Sequence, residues 1–261
     1  MDKQTFHQIE SYMLHCMQDS AHDAEHVYRV MYNALDIAAD EPCVDYEVLL
    51  AACLLHDIGR ARQFENPKLC HAKEGGYMAL KYLLDIGFPS DKAEHVKNCI
   101  VSHRYRNDAQ PCTIEAKILF DADKIDVTGA LGVARTLFYQ GHVGTALYTL
   151  NDDGDISDGT SEDGASFFHE YNYKLKRVYD GFYTHKGEEI AKERRQAMED
   201  YYNRLFSEIT KNRQKGKERL AGILENERLP LPLQDNMNAD DKNTGMQEAE
   251  IYVGKNDCHR P

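Results

Sequence analysis

Tryptophan is absent from the 261 residues, and proline occurs only seven times. So few prolines, with a moderate 17 glycines, argue against a chain of many tight turns such as a β-sandwich. No stretch approaches the ~20 apolar residues that span a bilayer. The N-terminal MDKQTFHQIESYM lacks the basic start and apolar run of a secretory signal. The seven cysteines are odd in number and form no CxxC pair, and Cys53 and Cys99 lie within apolar helical stretches. A disulfide framework is therefore not expected, and a reducing, cytoplasmic setting is. Bases are also in deficit, 31 against 44 acids, for a net charge of −13. That argues against general affinity for nucleic acid. It leaves room for a phosphate-bearing small molecule, because one bound cation and a few local bases reverse the potential inside a pocket. No GxxxxGK[ST] or GxGxxG phosphate loop occurs, and no serine sits in a nucleophile turn.

What the sequence does have is helical periodicity. Val27, Val30, Met31, Ala34, Leu35 and Ala38 recur at steps of three and four, which is one face of a helix. Asp45 can cap a second helix, Tyr46 to His56, whose LLAACLL centre predicts complete burial. Gly59 is placed to end it. A third helix is expected after Gly75-Gly76, ending at Gly87. Ser90 can cap a fourth, through His103, and Thr113 a fifth, through Asp123. Two further amphipathic helices are expected, from Phe168 to Phe182 and from Ile190 to Ile209. The fold class is thus all-α, with no run of alternating strands. The expected division is a domain over 1–212 and a flexible tail over 213–261, polar and aperiodic from about Arg228. Residues 151–164 (NDDGDISDGTSEDG) resemble a calcium loop only loosely. In the best register Ile156 replaces the required glycine, and a solvated loop is the better reading.

His56 and Asp57 close the most apolar helix in the chain. Burying an imidazole and a carboxylate there is costly unless something pairs with them, and a divalent cation is a competent partner for both. His26 opens an amphipathic helix, and Asp123 shares a helix face with Ala116 and Leu119. Alone, such a histidine is more often a hydrogen-bonded core residue, and such an aspartate a cap. Together, on successive helices, they can point into one bundle core, a recurrent setting for metal sites.

The order His26 (HDAEHVYRV), His56-Asp57 (ACLLHDIGR) and Asp123 (ILFDADKID) resembles the defining pattern of the HD superfamily of metal-dependent phosphohydrolases, in its HDIG variant. The similarity covers roughly residues 20 to 130. TIEAKILFDADKIDVTGALGVART and SFFHEYNYKLKRVYDGFYT extend it to about residue 210, toward a small bacterial subgroup that includes nucleoside triphosphate pyrophosphohydrolases. The resemblance implies an HD helical bundle with added C-terminal helices. It implies one divalent ion (Mn, Mg, Co, Ni, Fe or Zn) on His26, His56, Asp57 and Asp123. A second ion is conceivable through His71 and His103, with Asp57 bridging; the single-ion set is preferred, with His71 and His103 contacting substrate.

The implied activity is hydrolysis of a (deoxy)nucleoside triphosphate to monophosphate and pyrophosphate. A monophosphatase or phosphodiesterase is the near alternative, and a di-iron oxygenase or a non-catalytic nucleotide sensor the distant ones. Lys124, Arg60, Arg104 and Arg106 are candidates to offset phosphate charge. The acid some relatives carry just after the pair is missing from IGRAR, so Glu74 or Asp57 is the candidate base. No membrane partner is expected, and homo-oligomerisation is left open.

Overall fold

A computed structural model describes residues 1–17, 24–104, 110–161 and 164–225. The chain divides into two units, Met1–Gln214 and Lys215–Pro261. Of the second, only the helical turns to Glu225 are described. Among the described residues every regular element is helical, and β-pairing is confined to isolated bridges such as Leu150 with Ile156. No described helix is long and apolar enough to cross a membrane.

The first core gathers around α3 (Tyr46–Leu55). Val48, Leu49 and the whole run Ala51–Leu55 are buried. A helix apolar on every face needs neighbours on every side. Those are α1 (Lys3–Cys16), α2 (Ala24–Ala38), α5 (His71–Asp85), α6 (Ser90–Ser102) and α7 (Ile114–Ile125), all packed on it. Its start is fixed as the sequence predicts, with Asp45 accepting from the Glu47 and Val48 amides. Glu115, at the start of α7, accepts from the Asp45 amide at 2.8 Å, which ties the two helices at one end. Their other ends carry His56, Asp57 and Asp123. Thr113 caps α7 through the Ala116 amide, and Gly87 takes the left-handed conformation (φ +79) that terminates α5.

A second core forms from Phe167 and Phe168 of α9 (Phe167–Tyr173), Val133 of α8 (Gly129–His142), Leu175, and Ala191 and Met198 of α10 (His185–Glu225). Here the sequence expectations need correction. The Phe168–Phe182 segment is not one helix: α9 ends at Tyr173 and only a 3-10 turn, Leu175–Arg177, comes after it. The last helix passes residue 212 and runs to Glu225, so 213–225 is helical rather than tail; residues 226–261, Arg228 among them, lie outside the described residues. Helix α5 begins at His71, before Gly75-Gly76, and Pro89 rather than Ser90 holds the cap position of α6. In the 151–164 loop, Asn151 accepts from the Asp155 amide, a self-contained turn. Glu162 lies outside the described residues.

Gly59 has a role other than ending a helix. Helix α3 stops at Leu55, and Gly59 has an ordinary φ of −84, just before α4 (Arg60–Glu65). A Cβ there would sit 2.2 Å from the His71 carbonyl oxygen and 2.5 Å from the Gly75 amide nitrogen. The glycine of the HDIG sequence is what lets α5 press its backbone onto this turn and bring His71 to Asp57. Gly59→Ala is therefore expected to cost about 1–3 kcal/mol in denaturant unfolding and to weaken cation binding. An unchanged unfolding midpoint would contradict that packing.

Candidate metal centre

Five buried side chains and one at the edge converge between α2, α3, α5, α6 and α7. They are His26, His56, Asp57, His71 and His103, with exposures of 0 to 4%, and the partly exposed Asp123. His26 Nε2 lies 3.4 Å from His56 Nε2, 3.5 Å from Asp57 Oδ2 and 3.3 Å from Asp123 Oδ1. His56 Nε2 is 3.5 Å from Asp57 Oδ2 and 4.0 Å from Asp123 Oδ1. On the other side, Asp57 Oδ1 is 3.6 Å from His71 Nε2 and 3.8 Å from His103 Nε2. Donor atoms bound to one ion at about 2.0–2.2 Å lie roughly 3–3.6 Å apart. Among the described residues the atoms fall into two groups that could each hold an ion: His26, His56 and Asp123, and Asp57, His71 and His103. The two oxygens of Asp57 face one group each.

The hydrogen bonds behind the imidazoles fix how they are presented. His56 and His103 each come directly after the last residue of a helix and turn Nδ1 back onto the carbonyl three residues earlier, Cys53 at 2.8 Å and Ile100 at 2.6 Å. His71 Nδ1 meets Gln63 Oε1 at 2.7 Å, and Gln63 is oriented by donating Nε2 to the Leu69 carbonyl. His26 Nδ1 meets Asp126 Oδ2 at 2.7 Å. All four partners can only accept, so all four Nδ1 atoms carry a proton and all four Nε2 atoms point inward. Two of the inward atoms, His71 Nε2 and Asp57 Oδ1, are buried with no hydrogen-bond partner. Leaving them so costs about 1–3 kcal/mol each. Lone pairs facing lone pairs across 3.4 Å call for a cation between them, and the carbonyl ends of α3 and α6 add negative potential. The residues fit a divalent metal.

Electrostatics agree. Burial disfavours an imidazolium at His26, but hydrogen bonds to Asp123, Asp126 and Asp57 outweigh it and raise its pKa to about 10. The position holds positive charge, whether as a proton or as a metal ion. Burial takes His56 down to about 4, and burial with the Arg60 guanidinium takes His71 down to about 3, so both remain neutral ligands. Burial also opposes ionisation of Asp57, yet Arg60 and the adjacent imidazoles hold it well below the usual carboxylate range.

The other predicted site residues divide. Arg60 donates Nε to Asp57 Oδ2 at 2.5 Å, and Arg104 Nη1 lies 3.4 Å from His71 Nδ1, so both belong to the rim. Lys124 does not join them. Its ammonium donates to the carbonyls of Asp180 and Gly181 and lies 4.7 Å from the Phe182 ring centre. Successive helix residues diverge by about 100°, so the neighbour of a ligand turns away from it. Glu74 is paired with Arg62 at 3.1 Å and is in neither ligand group. Arg106 lies outside the described residues. The sequence reading missed Gln63, Asp126, Arg29 and Arg135. For Asp126 and Arg29 a signal existed: each stands one helical turn past a ligand, Asp123 or His26.

The HD domain family model matches residues 23–128, the span that supplies all six converging side chains. The chain thus carries a stretch similar to the HD domain over that span. It is 29% identical over 196 residues to the Bacillus subtilis protein YpgQ, covering 74% of this chain and 86% of that one. The likeness to solved structures extends over most of the chain. The crystal structure of YpgQ in complex with ADP superposes with a TM-score of 0.62 at 25% identity, over 78% of this chain and 95% of the other. A predicted HD-superfamily hydrolase from an uncultured Thermotogales bacterium gives 0.53 at 26%, over 77% and 91%. Since the HD match ends at residue 128, α8 to α10 are additions to the HD domain proper.

Proposed function

We propose that this protein hydrolyses nucleoside triphosphates to monophosphate and pyrophosphate with divalent metal ions held by His26, His56, Asp57, His71, His103 and Asp123. The observation that carries the hydrolytic reading is the buried convergence of four Nε2 atoms on two carboxylates. The ADP bound to YpgQ supports a nucleotide. The sequence reading favoured one ion. The second ligand group favours two, because a single ion on the first group leaves His71 Nε2 and Asp57 Oδ1 buried and unpaired. Bound there, divalent metal supplies a Lewis acid that lowers the pKa of water and offsets phosphoryl charge.

The chain's own residues do the rest. Asp57 and Asp123 hold the ions. Arg60 and Arg104 stand at the rim, where they can meet nonbridging oxygens and counter the repulsion of a polyanion by a chain of net charge −13. Arg60 is part-exposed while bonded to Asp57, which leaves the guanidinium accessible to substrate. Among the described residues, no carboxylate other than Asp57 and Asp123 belongs to the two groups, so Asp57 is the proposed proton acceptor in place of Glu74.

The test is product analysis on ribo- and deoxynucleoside triphosphates with Mn. Monophosphate with pyrophosphate supports the reading. Release of orthophosphate from monophosphates, or cleavage of cyclic nucleotides, replaces it with the monophosphatase or diesterase alternative. Tight nucleotide binding without turnover indicates a sensor, and an iron-dependent optical spectrum with oxygen uptake indicates an oxygenase.

A further inference from the structure

Asp126 is fully buried and is in neither ligand group. Its Oδ2 takes the Nδ1 proton of His26 at 2.7 Å, and Arg135 Nη1 donates to the same oxygen. Arg29 donates Nε to Oδ1 at 2.8 Å and Nη2 to Oδ2 at 3.2 Å. Arg135 Nη1 also lies 3.0 Å from His26 Nδ1. Both are donors, and they come together because they share one acceptor. The grip joins three elements: His26 and Arg29 from α2, Asp126 at the end of α7, and Arg135 from α8. Arg135 lies outside the HD match, which stops at residue 128.

We propose that Asp126, clamped between Arg29 and Arg135, is a positioning residue that fixes the ring of His26 and aims its Nε2 at the metal site, so that α8 contributes to the cation affinity of the HD domain. The inference rests on the metal-centre reading above. One arginine already balances the carboxylate. Two, Arg29 gripping both oxygens and Arg135 adding a second donor to Oδ2, fix the direction of the carboxylate as well as its charge. Direction is what His26 requires. Where His56 and His103 turn Nδ1 onto a carbonyl three residues earlier, His26 turns it onto the Asp126 carboxylate. Without Asp126 the imidazole is free to flip or to exchange tautomers, and Nε2 is no longer pre-aimed.

The experiment is competition for Co(II) between the metal-free protein and a chromophoric chelator, for wild type, Asp126→Asn, Arg135→Gln and Arg135→Lys. Asn keeps the shape but loses the charged acceptor. The expected result is one class of Co(II) site weakened roughly 10- to 100-fold in Asp126→Asn, with the second class and the circular dichroism unchanged. Arg135→Gln should show a smaller loss, with recovery in Arg135→Lys. Should Asp126→Asn fail to fold, the Arg135 pair decides, since Arg29 still compensates the buried carboxylate. Wild-type affinity at both classes in the folded variants overturns the inference and leaves the metal centre standing. A wild type that binds no Co(II) overturns the centre itself, and this inference with it.

Discussion

Asp57→Asn is expected to lower kcat by roughly four orders of magnitude or more while leaving the helical circular dichroism unchanged. A loss of that size corresponds to about 5.5 kcal/mol of transition-state stabilisation. It is expected because one side chain serves both ligand groups: Oδ2 stands 3.5 Å from His26 and His56, and Oδ1 3.6 Å from His71. The amide is nearly isosteric, so packing against the buried neighbours survives. It cannot supply two anionic oxygens, however, and its NH2 would turn a donor toward a cation. Arg60 loses its carboxylate partner, but it is part-exposed and can turn to water. The metal-free variant should therefore melt within a few degrees of metal-free wild type, and only wild type should gain on adding Mn. Activity retained to within tenfold in a folded Asp57→Asn would remove Asp57 from the centre and the proposed mechanism with it.

All six converging side chains could be read in the sequence, and so could the local devices that place their helices. The caps at Asp45 and Thr113 and the glycine at 87 act through neighbours in sequence, where turn chemistry is legible. The all-apolar α3 announced its own burial. What could not be read depends on distance across the chain. Asp126 and His26 are 100 residues apart, and the partner that takes up Lys124 is 56 residues away. No periodicity encodes either pairing. The division of the ligands into two groups turns on which oxygen of Asp57 faces which imidazole, a matter of ångströms that residue order does not carry. Gly59 shows the same limit. Its sequence context reads as a helix stop, whereas its function is to admit the backbone of α5. The C-terminal helices were harder for another reason. Much of α10 is solvated and charged, with only Gly187, Ala191 and Met198 buried, so its apolar stripe is too sparse to mark where it ends.

Adding divalent metal to the metal-free protein is expected to raise its melting temperature by about 8–16 °C once the ion exceeds its Kd a thousandfold. Such an excess contributes about 4 kcal/mol of linkage stabilisation, and one kcal/mol moves a unit of this size by roughly 2–4 °C. The direction with pH is set by His26. In the metal-free fold its imidazole, set among Asp123, Asp126 and Asp57, keeps a second proton up to a pKa of about 10, against 6.5 in the unfolded chain. That proton's contribution to stability is complete below about pH 6.5 and is lost as the pH rises toward 10. Metal must displace it from Nε2. The thermal gain from metal is therefore expected to be larger at about pH 8.5 than at about pH 6.5, while His56 and His71, at about 4 and 3, add no competing proton in that range. Stoichiometry then separates the two groups. Wild type should take up two ions and His71→Ala one, with most of the pH dependence retained, because His26 belongs to the group that remains. One ion in both proteins would restore the single-ion site and return His71 and His103 to the substrate pocket.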